Sequence, residues 1–311
     1  MVRIRTPVIG LALSGLLSLS GVAAHANAPM PAPGRPDRVA ALVAGSHDID
    51  QLPSNLLPAL SQASGDDAPA YYPITESGCT GVSKCAFGDL ASHRTVVLFG
   101  DSHALMWLPA LVPVARSQHF RLVLIWKAAC PAADVAVWDS KTNTVFAACN
   151  KFRWASILAI RALGPALVLL ASRTSRVLGP HKGPISDDVW RAGLERTIGL
   201  LSIHKTRVAI IGDITMFSTS LPDCLAAYPT DVQSCSVPDP NPQIPGHYKA
   251  EVAAASAKKA LYVDPARWLC TSVCSPIIGN MIGYFDSGHV TATYAEYLAN
   301  VWGEALRPLL R

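Results

Sequence analysis

From Thr95 onward, short apolar runs alternate with longer helix-like segments, and that alternation restricts the chain more than any other feature. The short runs are Thr95 to Phe99 (TVVLF), Arg121 to Trp126 (RLVLIW), Ala166 to Ala171 (ALVLLA), Arg207 to Ile211 (RVAII) and Ala260 to Val263 (ALYV). The segments between and after them are His103 to Gln118, Phe146 to Leu163, Asp187 to His204, Lys249 to Lys259 and Thr291 to Leu310. Strands this short, apolar on both faces, need helices covering both sides, which is the condition of a parallel sheet. The pattern predicts a doubly wound α/β domain with a five-stranded parallel sheet. Ligands of such domains bind beyond the carboxyl ends of the strands, where the strand order reverses.

The rest of the chain is organised around that domain. Arg3 and Arg5 precede an apolar stretch from Val8 to Ala24, and Ala26-Asn27-Ala28 offers a small-x-small cleavage site, with Ala24-His25-Ala26 as a second. Residues 1–28 are therefore expected to be an export signal. The alternative is an uncleaved anchor, since the apolar run is near the short limit for crossing a bilayer. Either way the body of the protein belongs outside the cytoplasm, in the periplasm, the cell envelope or the medium. Residues 29–92 are rich in Pro and Ala; PAPGRP reads as a flexible lead-in, and Arg38 to Ala44 as a short helix. We expect this stretch to be an extension packed on the α/β domain, which fills residues 93–311.

Charge excludes one class of partner. The formal charge of +4 falls to +2 once Arg3 and Arg5 leave with the signal, too little to attract a polyanion, so no nucleic-acid partner is expected. The eight cysteines all lie in the exported part. An even count in an oxidising compartment predicts disulfides, and proximity favours Cys79–Cys85, Cys130–Cys149, Cys224–Cys235 and Cys270–Cys274. Zinc at Cys270-x-x-x-Cys274 is the alternative, but no second Cys/His pair stands nearby with finger-like spacing, so no metal is expected.

The first strand runs into Gly100-Asp101-Ser102-His103. A serine at a strand-to-helix turn sits beside free helical N–H groups that favour negative charge and can stabilise an oxyanion. The plainer reading is that Asp101 or Ser102 caps the helix, worth about 1 kcal/mol. A reactive serine needs a base, and the base needs an orienting partner. Just before the last helix comes Tyr284-Phe285-Asp286-Ser287-Gly288-His289. Three residues separate Asp286 from His289, so one turn of backbone lets the carboxylate hold Nδ1–H and leaves Nε2 for Ser102. Alone, that segment would read as a surface loop; paired with Gly-Asp-Ser it points to a triad.

GDSHA after the first strand and DSGH before the last helix resemble the SGNH, or GDSL, hydrolase superfamily. More narrowly, the chain resembles the SGNH domains attached to bacterial acyltransferase-3 membrane proteins. Lys127-Ala128-Ala129-Cys130-Pro131, Cys149, Leu169-Leu170-Ala171-Ser172-Arg173, and Ile211-Gly212-Asp213 followed by Pro222-Asp223-Cys224 look like further features of that group, over roughly residues 38 to 311. The resemblance implies a flavodoxin-like fold, Ser102 as nucleophile, His289 as general base and Asp286 as its orienter, with no cofactor. It implies the Ser102 N–H as one oxyanion donor. The superfamily's Gly block is replaced here by Ala128-Ala129 and its Asn by Ser172-Arg173, so a backbone N–H near Ala129, or Ser172 or Arg173, would have to substitute. A missing donor costs about 3 kcal/mol.

The expected activity is that of a serine-dependent O-acyltransferase or acetylesterase. It would act through an acyl-serine on cell-envelope carbohydrate or another acylated sugar, as a monomer, alone or with a separate membrane acyltransferase. The competing expectation, prompted by the replaced Gly and Asn blocks, is a catalytically inactive glycan-binding or scaffold protein on the same fold. Four further residues have a functional and a plain reading. His103 is either a second base or part of the helix entrance. Trp107 and Trp126 either line the site or fill the core. Asp213 ends a strand and either approaches the site or is an ordinary loop Asp.

Overall fold

The apolar runs become strands because each has two faces to bury. In the computed structural model, which describes residues 31–74, 85–175, 177–203 and 205–310, they form one six-stranded sheet. Its strands are β1 (Ala86–Gly88), β2 (Thr95–Gly100), β3 (Arg121–Trp126), β4 (Leu167–Ala171), β5 (Arg207–Ile211) and β6 (Leu261–Val263), in the order β1-β3-β2-β4-β5-β6. Neighbours among β2 to β6 are parallel, and β1 runs antiparallel to β3. Five parallel strands stand where the sequence placed them. The sixth is a correction: β1 comes from the expected extension, and its three residues are too few to carry a periodicity.

Alternation along β2 explains the unbroken apolar run. Val96 and Leu98 enter one core with Leu122, Leu124 and Leu169, while Val97 and Phe99 enter the other with Val123, Ile125 and Leu170. The first core is closed by helices Leu108–Ser117, Ala292–Tyr297 and Ala299–Leu306. Helices Ala147–Leu163, Asp187–Leu201 and Tyr248–Lys258 close the second. Every residue of β2 and β4 is buried, each large aliphatic or aromatic side chain contributing roughly 1.5–3 kcal/mol. Trp107 is also core: its ring meets Trp302 at 5.1 Å, and Trp302 meets Trp268 at 4.9 Å.

Two expected helices are broken. The segment from His103 to Gln118 divides into Ser102–Leu105 and Leu108–Ser117. Pro109 lacks an N–H and so belongs in the first turn of a helix, which makes Leu108 a new start. The C-terminal segment divides at Leu298, whose N–H is shared between the carbonyls of Tyr294 and Ala295, and ends in a 3₁₀ turn at Arg307–Leu309 around Pro308.

The lead-in is integral to the fold. Its helix Pro36–Ala44 buries Val39 and Val43. Asp66 accepts hydrogen bonds from the Thr293 N–H at 3.0 Å and the Tyr71 hydroxyl at 2.6 Å, and its own carbonyl accepts the Ala292 N–H. Disulfides join Cys130 to Cys149, Cys224 to Cys235, and Cys270 to Cys274. Because Cys270 and Cys274 are bonded to each other, they offer no thiolate for zinc. Cys85 is disulfide-bonded; Cys79, its expected partner, lies outside the described residues, as does the export signal at 1–28. No helix among the described residues is long and apolar enough to cross a membrane.

Candidate active site

β2 lies between β3 and β4, so the chain leaves it on one side and returns on the other. Its carboxyl end is the point at which strand order reverses. Gly100 is needed there: a Cβ on it would fall 1.7 Å from the Ala171 carbonyl oxygen of β4. Asp101 caps the helix that follows, accepting the His103 N–H at 2.9 Å, and both its oxygens accept the Arg173 N–H, at 3.1 and 3.0 Å. The buried Asp101 thus ties the end of β2 to the end of β4. Burial raises its pKa above the usual carboxylate value, opposed by the His103 charge and these N–H donors. With Asp101 as cap, the Ser102 hydroxyl is free for other work.

That hydroxyl meets His289. Ser102 Oγ lies 2.8 Å from His289 Nε2, and His289 Nδ1 lies 2.7 Å from Asp286 Oδ2. Local folding makes the second contact. Tyr284 and Val290 pair as an antiparallel bridge, the Phe285 N–H reaches the His289 carbonyl, and Asp286 Oδ1 accepts the N–H groups of Gly288 and His289 at 2.7 and 2.8 Å. The carboxylate therefore holds both the turn and the ring. Burial would raise the Asp286 pKa, but the hydrogen bond and charge of His289 and the two backbone donors bring it down to about 2. Phe285 stacks on the imidazole at 5.3 Å between centroids, and Thr291 caps the next helix by accepting the Tyr294 N–H.

Around Ser102 and His289 opens a cavity of about 600 Å³. Leu105, Met106 and Trp126 give it an apolar side; Trp138, Lys141 and Phe146 border it from the connection between β3 and β4. Asp67, Ala68 and Pro69 of the lead-in complete the wall. Nothing in the spacing of these last six residues marked them in advance; only the closure of loops from distant parts of the chain brings them together. Trp126 belongs to both readings, buried in the core and bordering the cavity.

The four candidate oxyanion groups divide. Ser102, at the first position of its helix, and Ala129 border the cavity. Ala129 has φ of 55°, the left-handed conformation that a Gly would adopt without cost, in a turn closed by the Cys130 N–H on the Lys127 carbonyl. Ser172 and Arg173 do not border the cavity. Ser172 Oγ is buried and accepts the Ala132 N–H at 2.8 Å, and the Arg173 N–H is engaged by Asp101, so the structure uses both to brace loops.

His103 and Asp213, the latter in the loop just past β5, are not parts of the Ser102–His289–Asp286 chain. They pair with each other, Nδ1 to Oδ1 at 2.6 Å, in the interior behind Ser102. Burial alone would favour neutral His103, but the Asp213 charge and hydrogen bond outweigh it and raise its pKa. Burial would likewise raise Asp213; the His103 charge and hydrogen bond, with the Thr174 and Ile214 N–H groups, lower it instead.

A serine, an imidazole and a carboxylate in hydrogen-bonded series at the reversal point of a parallel sheet are groups that acyl transfer through serine can use. The family model described as "SGNH domain (fused to AT3 domains)" matches residues 64–304, and the chain belongs to that family. Among solved structures, the periplasmic domain of the lipopolysaccharide acetyltransferase of Salmonella ser. Paratyphi A is similar over 68% of this chain and 83% of that one, with 17% identity and a TM-score of 0.53. A GDSL-like lipase from Bacteroides thetaiotaomicron is similar over 69% of this chain and 88% of its own, with 12% identity and a TM-score of 0.37. At such identities the first likeness speaks for the fold. No curated protein matches the chain in sequence.

Proposed function

We propose that the protein is an exported serine enzyme that transfers or hydrolyses short acyl esters on cell-envelope carbohydrate, with Ser102 as nucleophile, His289 as general base and Asp286 as orienter. The observation that carries this reading is the unbroken series Ser102 Oγ–His289 Nε2–Nδ1–Asp286 Oδ2, at 2.8 and 2.7 Å, open to a cavity. Asp286 fixes the tautomer with the proton on Nδ1, so Nε2 accepts the serine proton. Ser102 Oγ then bonds to the acyl carbon. The carbonyl π electrons move to oxygen, beside the backbone N–H groups of Ser102 and Ala129. When the tetrahedral intermediate collapses, the bond to the leaving oxygen breaks and His289 returns the proton to it, leaving an acyl-serine. Water or a sugar hydroxyl completes the cycle: it gives its proton to His289 as it attacks the acyl carbon, and the proton passes back to Ser102 Oγ as that ester bond breaks.

The apolar side of the cavity, at Leu105, Met106 and Trp126, suits a short acyl chain. Trp138 and Phe146, which also border the cavity, bring aromatic rings against which a sugar ring can pack. Three disulfides among the described residues fit an oxidising compartment. A membrane acyltransferase as donor, a monomeric state and the absence of a cofactor belong to the same proposal. Purified protein should release p-nitrophenol from an acetate ester, and Ser102→Ala should abolish release; equal rates would favour a binding protein. An acyl donor offered with envelope glycan, followed by a count of glycan esters, separates transfer from hydrolysis.

A further inference from the structure

The proton path just described uses Ser102, His289 and Asp286 and leaves a second His–Asp pair unused directly behind it. His103 follows the nucleophile in sequence, and its side chain and that of Asp213 are 1% and 5% exposed. Asp213 is firmly held: Oδ2 accepts the Thr174 N–H at 2.7 Å and the Thr174 hydroxyl at 2.9 Å, and Oδ1 accepts the Ile214 N–H at 2.9 Å. The His103 ring stands across the His289 ring, 4.7 Å between centroids at an interplanar angle of 61°, and its Nε2 has no hydrogen-bond partner among the described residues. A buried imidazole bound to a fixed carboxylate and in ring contact with the base exceeds what a helix entrance requires.

We propose that His103 and Asp213 act as a positioning and charge-balancing pair for His289. This rests on the reading of His289 as the base. Protonated His103 cancels the Asp213 carboxylate, so the base faces no unbalanced negative charge from this pair. The same contact anchors the short helix carrying Ser102 to the end of β5 and fixes the hydroxyl against Nε2. Without His103, the Asp213 carboxylate, kept ionised by its Thr174 and Ile214 donors, would stabilise the imidazolium of His289 and make the neutral base scarcer at a given pH.

The other groups around His289 leave this task to the pair. Asp286, on its own loop, is committed to Nδ1. Asp67, from the lead-in, borders the same cavity and is coupled electrostatically to His289. Asp101, Arg173 and Glu251 couple electrostatically to His103 or Asp213. Burial, reinforced by the Asp213 charge, raises the Glu251 pKa well above the usual carboxylate value. Among the described residues, the His103 ring is the basic group in direct contact with Asp213.

The test is a ¹⁵N-imidazole NMR titration of wild type, His103→Gln, Asp213→Asn and the double variant, with the acid limb of kcat/KM on p-nitrophenyl acetate measured beside it. His103→Gln should move the His289 midpoint upward by on the order of one pH unit, and the acid limb should move with it. In Asp213→Asn the buried His103 loses its counter-ion and becomes neutral, and in the double variant both charges are gone; each should leave the midpoint where wild type has it. A merely structural role predicts slower variants whose limb stays in place. An unchanged midpoint in His103→Gln overturns the proposal. If that variant does not fold, the wild-type spectrum decides: His103 protonated on both nitrogens at pH 7 supports the pair, and neutral His103 overturns it. A wild type that hydrolyses no ester while its His289 midpoint responds as described defeats the proposed function and leaves the pair standing.

Discussion

Replacing Asp286 with Asn separates what the carboxylate does for the fold from what it does for the chemistry. The Asp286 pKa stands at about 2 against an ordinary 3.8. A carboxyl depressed on folding stabilises the folded protein above the ordinary value, and that contribution fades as pH falls from about 4 through about 2. The full shift would correspond to about 2.5 kcal/mol. Because the side chain is 40% exposed, solvent screening reduces this to about 1 kcal/mol. Asn can still accept the Gly288 and His289 N–H groups through its oxygen. Its NH₂, however, would face Nδ1 and favour the tautomer with the proton on Nε2, pointed at Ser102. The expected catalytic loss is about 10³- to 10⁴-fold in kcat, equivalent to about 4–5.5 kcal/mol in the barrier. Ester hydrolysis and urea unfolding of the same preparation at pH 7 measure the two effects. A variant destabilised by about 1 kcal/mol but still within tenfold of the wild-type rate would refute the orienting role.

Further outcomes follow from the same structure. Ala129→Gly should keep the esterase rate within a few-fold and raise stability by roughly 1 kcal/mol in urea unfolding, since Gly occupies a left-handed turn without the Cβ penalty. Gly100→Ala forces a Cβ to 1.7 Å from the Ala171 carbonyl and should lower the urea midpoint by an amount corresponding to about 3 kcal/mol or more. Replacing Cys130 and Cys149 together by Ser opens a bridge spanning 19 residues and should cost about 3 kcal/mol in urea unfolding.

The parallel strands were readable because each is a run with both faces buried, so length and apolarity alone marked them; Arg121–Trp126 and Arg207–Ile211 carry the expected boundaries. β1 was not readable, because Ala86–Gly88 is partly buried and borrows its conformation from β3. The breaks at Met106-Trp107 and at Leu298 arise from Pro109 and from carbonyl sharing, which a simple helical period does not register. Ser102, Asp286 and His289 carried local signatures on either side of a long gap, and folding brings those signatures together. The pairing of His103 with Asp213 had no such mark: in sequence one residue reads as helix entrance and the other as a strand end, and only the adjacency of β2, β4 and β5 makes them partners. Asp67 and Trp138 were hidden for the same reason, each entering the cavity wall from a loop whose course the α/β pattern does not determine.

The most direct test of the account is covalent. Incubation with a fluorophosphonate followed by peptide mapping should place one adduct on Ser102, absent from Ser102→Ala and strongly reduced in His289→Ala. A wild-type protein that stays unmodified, or one labelled equally well without His289, would contradict the claim that this imidazole activates this hydroxyl.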